Sequence, residues 1–87
     1  PPTNLPAQPL GPNDLISISV YGAPELSRSV RIASDGSLRL PMTSEAIPVS
    51  GRMPGELESD IAVHLKREGL LVEPFVTVTV TEYASRP

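Results

Sequence analysis

Asp60 and His64 lie four residues apart, the spacing that lets two side chains meet on one helix face. A carboxylate beside an imidazole can act as a general base, but it needs a nucleophile, a cleft and an oxyanion site. None is visible. Both residues fall off the stripe formed by Leu57, Ile61 and Leu65, where a solvated ion pair is the ordinary outcome. His64 is the single histidine and there is no cysteine, so a zinc site with its three or four ligands is not approached. Asp35-Gly36 lacks the spaced acidic ligands of a calcium loop and the glycine series and lysine of a phosphate loop. Turn chemistry is the better reading of it. No catalytic residue, cofactor or metal is therefore expected, and the chain does not read as an enzyme.

Composition narrows the alternatives. A chain of 87 residues is one small domain or a piece of a larger protein. Without cysteine it has no disulfide to staple a thin core, so it must depend on a well-packed sheet or on neighbours. The net charge is -3, and Arg28, Arg31, Arg39, Arg52, Lys66, Arg67 and Arg86 form no basic run. Nucleic acid, which selects clustered positive charge, is not an expected partner. Tyr21, Phe75 and Tyr83 are the only aromatic residues, too few and too scattered for an evident stacking platform. No apolar run approaches the roughly 18–20 residues of a membrane helix. The start at Pro1-Pro2, with neither Met nor an apolar signal region, reads as a mature or trimmed fragment, so that targeting information could lie upstream.

The elements that must position these residues follow from periodicity. Residues 1–9 carry four prolines and read as an extended lead-in. Gly11-Pro12-Asn13-Asp14 is a turn. Leu15 to Tyr21 alternates, with Ile16, Ile18 and Val20 on the buried face of a strand. Pro24 interrupts the chain. Ser29–Ala33 and Ser37–Leu40 flank Asp35-Gly36, a strong signal for a hairpin. Pro41 stops the second arm, and a loop with a brief extended piece at Ala46–Val49 runs to Gly51. Pro54 to Glu68 is an amphipathic helix with acidic residues near its start and Lys66 and Arg67 near its end. Gly69 suits a left-handed stop, with Leu70 packing back. Phe75 to Thr81 is a strand with Val76, Val78 and Val80 on one face and Thr77, Thr79 and Thr81 on the other. The sum is a small two-layer α+β domain: a mixed or mainly antiparallel sheet of about four strands under one amphipathic helix.

Read together, the punctuation marks resemble a known family. The run from Leu10 to Pro41 is similar to the start of the polysaccharide biosynthesis/export domain of bacterial outer-membrane polysaccharide export proteins (Wza-like). Leu10, Gly11, Pro12 and Asp14 match that family's opening. Pro24, Glu25 and Leu26 match its Pro-Glu-Leu turn, and Asp35, Gly36, Leu40 and Pro41 match its Asp-Gly and Leu-Pro. Val49 and Gly51 resemble its Val-x-Gly. Pro54, Glu56 and Leu57 resemble its helix start, and Pro74, Val76, Val78 and Val80 resemble its last strand. The chain departs from the pattern at Asn13, where Gly is usual, at Met53, where Ser or Thr would cap the helix, and at Ser44, in a loop one residue longer.

The resemblance implies a periplasmic, non-catalytic module, associated with the outer membrane through other and often lipid-anchored parts of the protein. It would contribute to a ring-shaped conduit for capsular or exopolysaccharide. The implied partners are copies of itself, the polysaccharide in transit and an inner-membrane polysaccharide copolymerase. The implied organisation is a lead-in over 1–9, the export domain over 10–84 and, at 85–87, a junction to a β-grasp domain. The alternative is a stand-alone periplasmic module that binds carbohydrate or another ligand.

Overall fold

The structure, a computed structural model, describes residues 8–40 and 45–84. Most of the proline-rich lead-in, Pro41 and the junction at 85–87 lie outside the described residues. Strand β1 (Leu15–Val20) is central in a three-stranded antiparallel sheet, between β2 (Arg28–Arg31) and β5 (Val76–Glu82). A short 3-10 turn at Pro24–Leu26 joins β1 to β2, and Pro24 occupies its first position. Ile16, Ile18 and Val20 of β1 and Val76, Val78 and Val80 of β5 are buried on the same face.

Helix α1 (Pro54–Arg67) covers that face, chiefly against β5. Its Leu57, Ile61 and Leu65 are fully buried, each contributing roughly 1.5–3 kcal/mol relative to exposure. Met53 offers no oxygen to cap the helix. The Glu56 carboxylate instead accepts the Met53 N–H at 2.8 Å, which ties down the entry to the helix. At the far end Glu68 is the cap and Gly69 takes φ +75. The Leu70 N–H reaches the Leu65 carbonyl at 3.0 Å and the Gly69 N–H reaches that of Lys66 at 3.1 Å. These are the two bonds of the Schellman stop. Glu58 also accepts the Val78 N–H at 2.9 Å, covering part of the outer edge of β5, where a bare strand edge would invite pairing.

The expected Asp-Gly hairpin needs correction. The turn closes as read, with the Gly36 N–H on the Ala33 carbonyl at 2.8 Å and the Ala33 N–H on that of Ser37 at 2.9 Å. Its arms then part into two sheets. The Ile32 N–H is committed to the Asp14 carbonyl at 2.8 Å, while the Gly36 carbonyl accepts from Val49 and Ser50 at 2.9 and 3.1 Å. The outgoing arm, β3 (Ser37–Arg39), therefore pairs with β4 (Ala46–Pro48) in a separate two-stranded sheet. The extended piece read at Ala46–Val49 is this partner. The fold is α+β as expected, with five strands in two antiparallel sheets, and no pairing among the described residues is parallel.

Candidate functional site

The residues singled out in the sequence divide among three places. The first is a knot of turns. Asp14 is 0% exposed; its Oδ2 accepts the Gly11 N–H at 2.9 Å and its Oδ1 the Ala84 N–H at 2.8 Å, just past the end of β5. Leu10 exchanges backbone bonds with Gly51 and Arg52, each at 2.8 Å. Asn13 takes φ +71, the left-handed conformation that Asn tolerates in place of Gly, and donates to the Ile32 carbonyl. Gly36, at φ +84, sits so close to Ser50 that a Cβ there would lie 2.9 Å from the Ser50 Cβ. Gly11, Asp14, Gly36 and Gly51 are thus drawn together, with Pro12 exposed on the turn. Asp35 is exposed beside them, and its carboxyl is held below the usual carboxylate range by the Ser37 hydroxyl and backbone N–H.

The second place is the 3-10 turn at the opposite end of β1. Leu26 is buried there while Pro24 and Glu25 are exposed. The Ser27 hydroxyl accepts the Val20 N–H at 2.8 Å and fixes the exit from β1. Beside this turn the Tyr21 N–H donates to the Phe75 carbonyl at 3.0 Å, so β1 and β5 meet at their ends with both rings outward. Tyr21 is 81% and Phe75 70% exposed. The outer sheet face continues from them through Ser19 opposite Thr77, then Ser17 between Ser29 and Thr79. At its other end Arg31 bonds Glu82 at 3.0 Å. Thr81 is displaced by a bulge opposite Leu15 and Ile16, and its hydroxyl donates to the Leu15 carbonyl. The face offers hydroxyls along its length and aromatic rings at one end.

The third place is a cavity of about 400 Å³ between α1 and β4, where Asp60 and His64 both line the wall but do not meet. Asp60 is taken by Arg52 through two bonds, Nε to Oδ2 at 2.9 Å and Nη2 to Oδ1 at 3.0 Å, which hold the guanidinium more firmly protonated. His64 is not the solvated partner that was expected. It is 5% exposed, because it follows Leu57 by seven residues and so returns to the buried face after two turns. Its Nδ1 faces Glu45 Oε1 at 3.9 Å. None of the described residues lining this cavity is Ser, Thr or Cys.

The match to known proteins decides the family. A model of the polysaccharide biosynthesis/export protein family matches residues 3–81. The chain belongs to this family. A search of curated proteins found no match. The role of this export-family domain is therefore related to polysaccharide export, and its family is one of transport. No helix among the described residues is long and apolar enough to cross a membrane.

Of the residues that carry the sequence resemblance, Gly11, Asp14, Gly36 and Gly51 form the knot, while Leu26, Leu40 and Leu57 are core residues. Sequence reasoning missed the Tyr21–Phe75 pair, because the 53 positions between them conceal that the two flank neighbouring strands at the same level. It also missed Glu45 and Glu68 beside His64. The His64–Glu68 spacing of four on the helix was the available signal.

Proposed function

We propose that this domain is a periplasmic, non-catalytic module of a ring-shaped conduit for capsular or exopolysaccharide, with parts of the protein outside this stretch holding it at the outer membrane. The family match over residues 3–81 carries the reading. The geometry supports it in two ways. The knot and the helix–sheet core make a rigid wedge, and a closed ring of identical subunits requires two different rigid faces to meet. The outer sheet face, with Tyr21 and Phe75 at its end, supplies one such face. Its hydroxyls offer many weak contacts, suited to a neighbour or to a polymer that must keep moving. The full-length protein in detergent is expected to sediment as a closed oligomer, and Tyr21→Ser with Phe75→Ser to shift it toward smaller species. A full-length protein that stays monomeric at high concentration sinks the conduit reading.

The exposed aromatic pair beside a row of hydroxyls also favours a second reading, a module that binds carbohydrate alone. Saturable glycan binding by the isolated domain at about millimolar affinity or tighter, lost in the same double variant, would put this reading first.

A further inference from the structure

His64 poses a problem that packing does not solve. It lies on the helix face that buries Leu57, Ile61 and Leu65, and an apolar residue of similar size would fill its place. The imidazole instead brings two polar atoms inside. Its Nε2 is buried with no hydrogen-bond partner. Its Nδ1 faces the Glu45 carboxylate at 3.9 Å, beyond hydrogen-bond reach. The partnerless Nε2 marks the ring as poorly satisfied where it lies, but the nitrogen turned toward a ligand position is Nδ1, which faces Glu45.

Glu45 and Glu68 converge on the same ring. One ligand atom from each of Glu45, His64 and Glu68 lies within 4.8 Å of the others. Glu68 stands one turn beyond His64, and its backbone N–H bonds the His64 carbonyl at 2.9 Å, so their spacing is fixed by the helix itself. Glu45 immediately precedes β4. Both carboxylates are exposed, whereas the imidazole is buried.

We propose that Glu45, His64 and Glu68 form a binding site for a divalent transition metal of the zinc class. Zinc takes imidazole nitrogen at about 2.0–2.1 Å and carboxylate oxygen at about 2.0–2.2 Å. Two such ligands at a tetrahedral angle are therefore about 3.4 Å apart, and the observed 3.9 Å between nitrogen and oxygen needs only a small closure. The helix C-terminus and two carboxylates make the position electronegative. Arg67, which lines the adjoining cavity, opposes a cation there, and the two carboxylates must outweigh it. Imidazole in the set favours zinc over calcium, which seeks six to eight oxygens. A bound ion would tie the start of β4 to the end of α1. The inference rests on this geometry alone and is independent of the export reading.

Because His64 is the only histidine, its ring gives a single set of imidazole signals in an NMR titration of the full chain with zinc chloride. The expected result is a saturable one-to-one shift of those signals and a raised melting temperature. Glu45→Gln and Glu68→Gln, both at exposed positions that do not threaten folding, are each expected to weaken binding by about tenfold or more. A ring unmoved by millimolar zinc overturns the site, as does zinc binding unchanged in the Glu45→Gln/Glu68→Gln double variant. Calcium chloride binding as tight as zinc also overturns it, by removing the imidazole's role.

Discussion

Asp14 and His64 are the buried polar side chains among the described residues, and the protein treats them in opposite ways. Asp14 sits where three segments meet, and both of its oxygens accept backbone N–H groups, one from Gly11 and one from Ala84. Its burial is compensated on both sides, and the result is a rivet between the opening turn and the end of β5. His64 is nearly as deep, yet one ring nitrogen has no partner and the other faces a carboxylate across a gap. Burial by itself therefore separates nothing. What separates a structural polar group from a candidate ligand is whether the protein's own atoms satisfy it.

The largest expected effect breaks the rivet. Asp14→Ala removes the acceptor of two donors, and the Gly11 N–H is left in a buried site. A buried donor without a partner costs about 1–3 kcal/mol, and bonds to a charged acceptor are among the stronger ones. The variant is expected to lose about 3 kcal/mol in urea unfolding, a large share of the stability of a domain this size. Asp14→Asn keeps one acceptor and should lose less. A loss under about 0.5 kcal/mol for Asp14→Ala would mean that water replaces the carboxylate at little cost, and the contrast with His64 would collapse.

The same measurement on His64 is expected to have the other sign. His64→Leu removes an unpaired polar atom from the apolar face of α1 while roughly keeping the volume. In metal-free buffer the stability should lie between no change and a gain of about 2 kcal/mol. A loss beyond about 1 kcal/mol would show that the ring is satisfied after all, and would make His64 a second rivet.

These differences mark where the sequence was legible. β1, β5 and α1 could be read because each carries a complete period, two for Ile16/Ile18/Val20 and Val76/Val78/Val80, close to four for Leu57/Ile61/Leu65. The helix stop was local as well, since Gly69 and Leu70 supply both the conformation and the bonds. His64 was misplaced because a stripe counted only in fours omits the residue seven positions on, which shares the face. The split at Gly36 was hidden for a different reason. Asp-Gly chemistry specifies a turn, but the partners of the two arms depend on Asp14, Val49 and Ser50, whose backbone groups arrive from elsewhere in the chain. Asp14 itself read as a turn-former, and nothing local shows a carboxylate reaching an N–H 70 residues away. Of the candidate sites, the family pattern was legible through its order of turns. The aromatic pair and the carboxylates around His64 were not, because each depends on register or packing between distant segments.

Asp35 sharpens the comparison with the smallest expected effect, because it repeats the chemistry of Asp14 in water. Its Oδ1 accepts both the Ser37 hydroxyl at 2.6 Å and the Ser37 backbone N–H at 3.0 Å. These bonds favour the charged form and lower its pKa from 3.8, the hydroxyl contributing most. A depressed carboxyl pKa contributes stability above the unfolded value and loses it as pH falls through the folded one, so the window lies below about pH 4. Ser37→Ala removes the hydroxyl and keeps the backbone bond, so the Asp35 titration followed by NMR is expected to move part of the way back toward 3.8. Urea unfolding at pH 7 should hardly respond, because an exposed carboxylate exchanges protein donors for water at little cost. If Ser37→Ala left the Asp35 titration unmoved, the hydroxyl would not be its main partner. If the variant instead destabilised the domain as much as Asp14→Ala does, satisfaction would matter regardless of burial, and the distinction between Asp14 and an ordinary turn aspartate would be lost.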